Sequence, residues 1–311
     1  MQAGPARRGS GAEGWLDSET EMLSVDPRAT DSRISDWVEP HLVAKNPLAA
    51  PNGHLLVFLA GSMSLPGRQT LLLRLAAKMG FLAINLRYPN SWTVGTLCRR
   101  SADPHCHEKI RLHIAEGLPS GELPGVSAHD SIHGRLGSLL VWLAAYDPEA
   151  GWKALMRYGE ICWDRIVLAG HSQGGGHAAI LGKRHSLKRV VMLGSPTDDC
   201  QVRGGPASWL GAPGETPSDR YYGFVHGGDP GFDRILLAWE AIGLAQFGGL
   251  INVDDSDPPY RMSHQLVSQA PAVRDKFHAC VATDGATPIS VGGTPIYASV
   301  WSYLLDVAGP L

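Results

Sequence analysis

Short continuous apolar runs alternate along the chain with segments whose apolar residues return every three to four positions. Leu55–Ala60, Phe81–Leu86, Arg165–Ala169, Arg189–Leu193, Tyr221–Val225 and Leu250–Val253 have the length and β-branched content of strands covered on both faces. Between them, Leu71–Met79, Ser131–Tyr146, Gly174–His185 and Ile235–Ala245 carry helical spacing, and Val300–Val307 reads as a closing helix. Gly80 and Asp147-Pro148 supply stop signals for the first two of these helices. The order strand, helix, strand over residues 55 to 86 has the size of a βαβ unit, whose strands must be parallel. The pattern predicts the α/β class: a mostly parallel central sheet with helices on both faces. Ligands bind such sheets outside the carboxyl ends of the strands, where Gly61, Ser172, Ser195, Asp229 and Asp254 fall.

The stretch from about residue 90 to 125 breaks this rhythm, and its length predicts a functional loop or small lid. Trp92 stands at its start, just past a strand end. Residues 1–14, rich in Gly, Ala and Arg, read as a flexible or expression-derived start, leaving 15–311 as a single domain with the insertion at about 90–125.

Composition narrows the partners. With 44% hydrophobic residues in 311, the chain can bury a large core, and a net charge of -3 provides no basic footprint for nucleic acid. No apolar run approaches the roughly 20 residues of a transmembrane helix, and the start lacks the apolar stretch of a secretory signal. A water-soluble protein acting on a small molecule is expected, cytoplasmic, or secreted if a signal has been removed. Cys98, Cys106, Cys162, Cys200 and Cys280 are odd in number, so they cannot all pair within one chain. A local Cys98–Cys106 disulfide is geometrically possible; two free thiols in a reducing compartment are the alternative.

The chemistry centres on Ala169-Gly170-His171-Ser172-Gln173-Gly174-Gly175, between a strand and a small-residue helix. This is the pattern of a nucleophile elbow: a serine on a sharp turn, flanked by glycines because side chains there would clash. The backbone N–H of Gln173 is placed to stabilise an oxyanion, with a second donor expected at Ser62, or at Met63 beside it, in the loop after the first core strand. A serine needs a base and a group to orient that base. Asp229, in a glycine turn directly after Tyr221–Val225, fits the acid, and His264, after Leu250–Val253, fits the base. Asp198 and Asp199 are rival acids one strand earlier, and His278 is a rival base whose apolar neighbours also suit a structural histidine. His171 and His177 read as packing residues. Asp103-Pro-His-Cys-His107 and Asp254-Asp-Ser-Asp257 lack the spacing of zinc or calcium loops, so no metal and no cofactor is expected.

The elbow, the order Ser172, Asp229, His264 and the loop at Gly61 together resemble the α/β-hydrolase superfamily over about residues 50 to 311. Leu-Leu-Val-Phe-Leu-Ala-Gly61, Leu86-Arg-Tyr-Pro-Asn90 with its following cysteine pair, and the elbow itself are similar to a poorly characterised bacterial branch of it. The resemblance implies an α/β-hydrolase fold and a serine hydrolase, with a carboxylic ester as the expected small-molecule substrate. An acyltransferase, thioesterase or lipase on the same residues, or a non-catalytic binding protein of this fold, are the alternatives. No His-Gly-Gly-Gly segment follows the first core strand, a departure that bears on Ser62.

Overall fold

The computed structural model describes residues 19–120, 125–200 and 202–307. The start at residues 1–14 lies outside the described residues. The strands are β1 (Glu21–Val25), β2 (His41–Lys45), β3 (Leu55–Leu59), β4 (Leu82–Leu86), β5 (Met156–Arg157), β6 (Glu160–Ile161), β7 (Ile166–His171), β8 (Arg189–Leu193), β9 (Tyr221–His226), β10 (Ile251–Asn252) and β11 (Gln265–Ser268). The α-helices are α1 (Pro27–Thr30), α2 (Thr70–Lys78), α3 (Val94–Cys98), α4 (Cys106–Glu116), α5 (Ile132–Tyr146), α6 (Gln173–Arg184), α7 (Ser208–Gly211), α8 (Phe232–Ile242), α9 (Phe277–Cys280) and α10 (Ala298–Leu305).

Nine strands form one sheet in the order β1-β2-β4-β3-β7-β8-β9-β11-β10, while β5 and β6 make a separate ribbon. β2 is antiparallel to both β1 and β4, and every other pairing in the large sheet is parallel. The continuous apolar runs reflect burial on two sides, because alternate side chains point to opposite faces. Leu55, Val57 and Leu59 join the core under α4, α5, α6 and α8, whereas Leu56 and Phe58 join the core under α2 and α10. This is the α/β-hydrolase fold, with the parallel strands ending at one rim.

The carboxyl-terminal third departs from the expected pattern. Leu250–Val253 is not a core strand: only Ile251–Asn252 pairs, at the sheet edge, and β11 lies between it and β9. The Gln-Leu-Val-Ser sequence of β11 is short and half polar, and its burial comes from lying between two strands. That one inserted strand moves the rim on which each neighbouring residue emerges.

Candidate active site

Ser172 sits between β7 and α6 with φ 56° and ψ -123°, a conformation costing on the order of 1–3 kcal/mol that the surroundings must hold. The surroundings do so by contact. A Cβ at Gly170 would lie 2.3 Å from the Gly174 carbonyl carbon, and one at Gly174 only 2.0 Å from the Leu59 oxygen. The Ser172 N–H donates to Leu193 O at 2.9 Å, and its carbonyl accepts from Gly175 N–H at 3.1 Å. The turn is therefore pressed between β3, β8 and the first turn of α6.

The loop after β3 faces this turn. Met63, the second choice for an oxyanion donor, already gives its N–H to Asn90 O at 2.8 Å, whereas the N–H groups of Ser62 and Gln173 have no backbone partner among the described residues. The Ser62 hydroxyl donates to Gln173 Oε1 at 2.9 Å, which also accepts from Val94 N–H at 3.0 Å. One glutamine side chain thus joins the elbow, the β3 loop and α3. From below, the Tyr88 hydroxyl donates to Ala60 O at 2.5 Å and Asn90 Nδ2 donates to Gly61 O at 2.8 Å. Arg87 in turn donates to Asn90 Oδ1. These three residues of the Leu86–Asn90 segment hold the loop; no role was expected of them, and only the clustering of Arg87, Tyr88 and Asn90 at a strand end could have pointed to one.

The imidazole at the site is that of His278. Its Nδ1 lies 2.7 Å from Asp229 Oδ2, while Gly231 N–H donates to Asp229 Oδ1 at 2.7 Å. Burial raises the Asp229 pKa, but the His278 hydrogen bond and charge and the Gly231 N–H outweigh it and hold the carboxyl below its ordinary value. The pair packs over Gly194, and the His278 carbonyl accepts from His171 Nε2 at 2.8 Å. Burial first, then the neighbouring His278, push the His171 pKa down to about 3, so a neutral ring supports the loop.

His264 does not join them. It directly precedes β11, at the amino end of the parallel strands, where its Nδ1 bonds Tyr221 O at 3.0 Å and its ring stacks on Tyr222 and Phe247 with centroids 3.8 and 4.7 Å away. The six residues of β9 separate that rim from the turn holding Asp229, about 20 Å at roughly 3.3 Å per residue. The expectation of His264 as base is corrected by topology: the loop reaching Ser172 is the one leaving the carboxyl end of β11, and it carries His278. Burial pushes the His264 pKa down to about 4.

The rival acids have other partners. Asp198 is buried against Arg111, whose Nε and Nη2 lie 2.6 and 2.5 Å from its two oxygens, and it also accepts from Trp209 Nε1 at 3.1 Å. Arg111 passes on to Gln173 O at 3.0 Å and lies flat over Gly176 of α6. Asp199 faces Arg234 at 3.8 Å and His107 at 3.9 Å. Residues 94–116 of the expected lid form α3 and α4, joined where they meet by a Cys98–Cys106 disulfide. Residues 121–124 of it lie outside the described residues. Trp92 packs edge-on against Trp37, with ring centroids 5.0 Å apart.

Two cavities meet at Ser172, and both are lined by Ser62, Ser172 and His278. One of about 530 Å³ opens toward Lys276 and Asp284; the other, about 230 Å³ and mostly polar, lies under α3 and α4 with Arg99, His107 and Arg234 in its wall. No helix among the described residues is long and apolar enough to cross a membrane.

Comparison adds the following. No protein-family model and no curated protein matches the sequence. Among solved structures, the chain is similar to "Putative Dienelactone Hydrolase from Klebsiella pneumoniae subsp. pneumoniae MGH 78578", at 12% identity and a TM-score of 0.41, over 81% of this chain and 86% of that one.

Proposed function

We propose that the protein is a serine hydrolase that cleaves a small carboxylic ester through an acyl-enzyme, with Ser172 as nucleophile, His278 as base and Asp229 as the acid that orients it. The observation that carries this reading is the 2.7 Å contact of His278 Nδ1 with the buried Asp229, His278 lining both cavities together with the strained Ser172.

An ionised carboxylate only accepts hydrogen bonds, so Asp229 holds the proton of the neutral imidazole on Nδ1 and leaves the Nε2 lone pair free. Ser172 Oγ attacks the ester carbonyl carbon while its proton passes to Nε2. The carbonyl oxygen becomes an oxyanion, met by the N–H groups of Gln173 and Ser62 and by the positive end of α6. Collapse expels the alcohol, which takes the proton from Nε2 and leaves the acyl group on Ser172. Water then repeats the sequence, giving up a proton to His278 and releasing the acid.

The polar wall of the smaller cavity favours short or hydrophilic acyl groups over long alkyl chains. A series of p-nitrophenyl esters of increasing chain length tests this. Turnover should be greatest for the shortest esters and be lost in Ser172→Ala; no hydrolysis of any member, or equal turnover by the folded variant, would overturn the reading.

A further inference from the structure

We propose that Glu116, His133 and His185 bind one divalent transition-metal ion, zinc by the character of the donors, on the outer side of the helices and away from Ser172. Glu116 ends α4, His133 lies in the first turn of α5 and His185 follows α6, and one ligand atom from each falls within 4.8 Å of the other two. Two imidazoles and a carboxylate form a common zinc donor set, with water left to complete a tetrahedron.

The geometry is partly built already. Glu116 Oε1 lies 2.9 Å from His185 Nε2. The indole of Trp163 stacks on the His185 ring at 4.2 Å and 12°, and the His133 ring stands perpendicular to both, 5.5 Å from each. Aromatic packing therefore fixes two ligand rings before any ion arrives. Zinc bonds of about 2.0–2.2 Å require donors roughly 3.3–3.5 Å apart, so the Glu116–His185 contact opens by a few tenths of an ångström and His133 closes in. Arg184, which also contacts Glu116 Oε2 at 3.3 Å, is half exposed and can swing into solvent.

The site stands apart from the proposed chemistry. The 12 residues of α6 span about 18 Å at 1.5 Å per residue, which separates His185 from the elbow. An ion would instead tie the end of α4 to the far end of α6. α4 is the helix that starts at the disulfide and carries Arg111 to the Gln173 carbonyl, so the ion would brace the wall of the smaller cavity.

The test is zinc chloride titrated into the chelator-treated full chain, followed by calorimetry and thermal unfolding, with the visible absorption of a cobalt(II) substitute reporting coordination. One ion per chain should bind, and Tm should rise by roughly 5 °C at about a hundredfold excess over Kd. His133→Asn and Glu116→Gln, with circular dichroism like that of the parent, should each weaken binding by at least about a hundredfold. His278→Asn should bind zinc like the parent. No stoichiometric binding, binding unchanged in both ligand variants, or binding lost in His278→Asn would overturn the proposal, leaving an ordinary hydrogen bond between Glu116 and His185.

Discussion

Asp229 and His278 meet at 2.7 Å across 49 residues of sequence, because the loops carrying them leave the neighbouring parallel strands β9 and β11 at the same rim of the sheet. His264, closer in sequence to Asp229, stands at the opposite rim. The two histidines should therefore respond to substitution in different ways. His278→Ala should lower kcat by roughly a thousandfold or more, as expected for loss of a general base in a serine triad. His264→Ala should leave kcat within a few-fold but cost roughly 1–3 kcal/mol of stability, by removing a ring packed between Tyr222 and Phe247. Steady-state kinetics beside thermal unfolding of both variants checks this, and the reverse pattern would return the base to His264.

The central strands and the elbow were legible because they are buried on both faces: β3 is apolar throughout and β7 is apolar from Ile166 to Ala169, up to the glycine that opens the elbow. β11 was not legible. Its four residues, Gln265 to Ser268, carry only two apolar side chains, whereas the neighbouring Leu250–Val253 imitates a core strand and pairs over only two residues at the edge. A strand missed by periodicity shifts every later loop by one crossover, which is why the rim at which Asp229 emerges could be read from its glycine turn and the rim at which His264 emerges could not. The antiparallel β1 and β2 escaped for a related reason: as strands toward the sheet edge, they carry mixed patterns. Glu116, His133 and His185 are brought together only by helix packing, so no local spacing could have revealed them.

Asp198 tests whether the buried carboxylate one strand earlier is structural. Its bidentate partner Arg111 is almost wholly enclosed, and removing one member of a buried pair strands the other charge. Asp198→Asn should cost about 3–5 kcal/mol in denaturant unfolding while kcat falls less than tenfold. A loss of activity comparable to that of Asp229→Asn, in a stable protein, would place the acid at Asp198.

Acid should destabilise the fold well above the range in which its carboxylates titrate. Burial lowers the pKa of His41 and His171 to about 3 and of His264 to about 4, and holds His177 well below its ordinary value. The unfolded chain binds protons at these sites below about pH 6.5, whereas the folded chain does not. Stability is therefore greatest above pH 6.5 and falls as pH drops toward the folded values, by up to about 1.4 kcal/mol per pH unit for each group. Asp229 and Asp198 are depressed instead, so their contributions persist until pH falls below 3.8 and through their folded values. Tm measured from pH 7.5 to 4.5 should decline steadily below 6.5; a flat profile would contradict the burial of these rings as neutral groups.

The disulfide should matter to the lid more than to the chemistry. Closing so short a loop contributes up to about 2.5 kcal/mol in the chain-entropy model. Cys98→Ser with Cys106→Ser should lower Tm in the absence of reductant and alter the chain-length profile of ester hydrolysis, since α3 and α4 wall the smaller cavity. Activity on an acetate ester should persist. Its disappearance in a folded double variant would assign the disulfide a role in assembling the site.

Covalent labelling by a fluorophosphonate, mapped by peptide mass spectrometry, tests the central claim most directly. The probe reacts only with a serine activated by a neighbouring base, so it reads the proposed arrangement without requiring knowledge of the natural substrate. The account predicts one adduct, on Ser172, lost in His278→Ala and retained in His264→Ala. An adduct on another serine, or labelling of Ser172 that survives loss of His278 and vanishes with loss of His264, would contradict it.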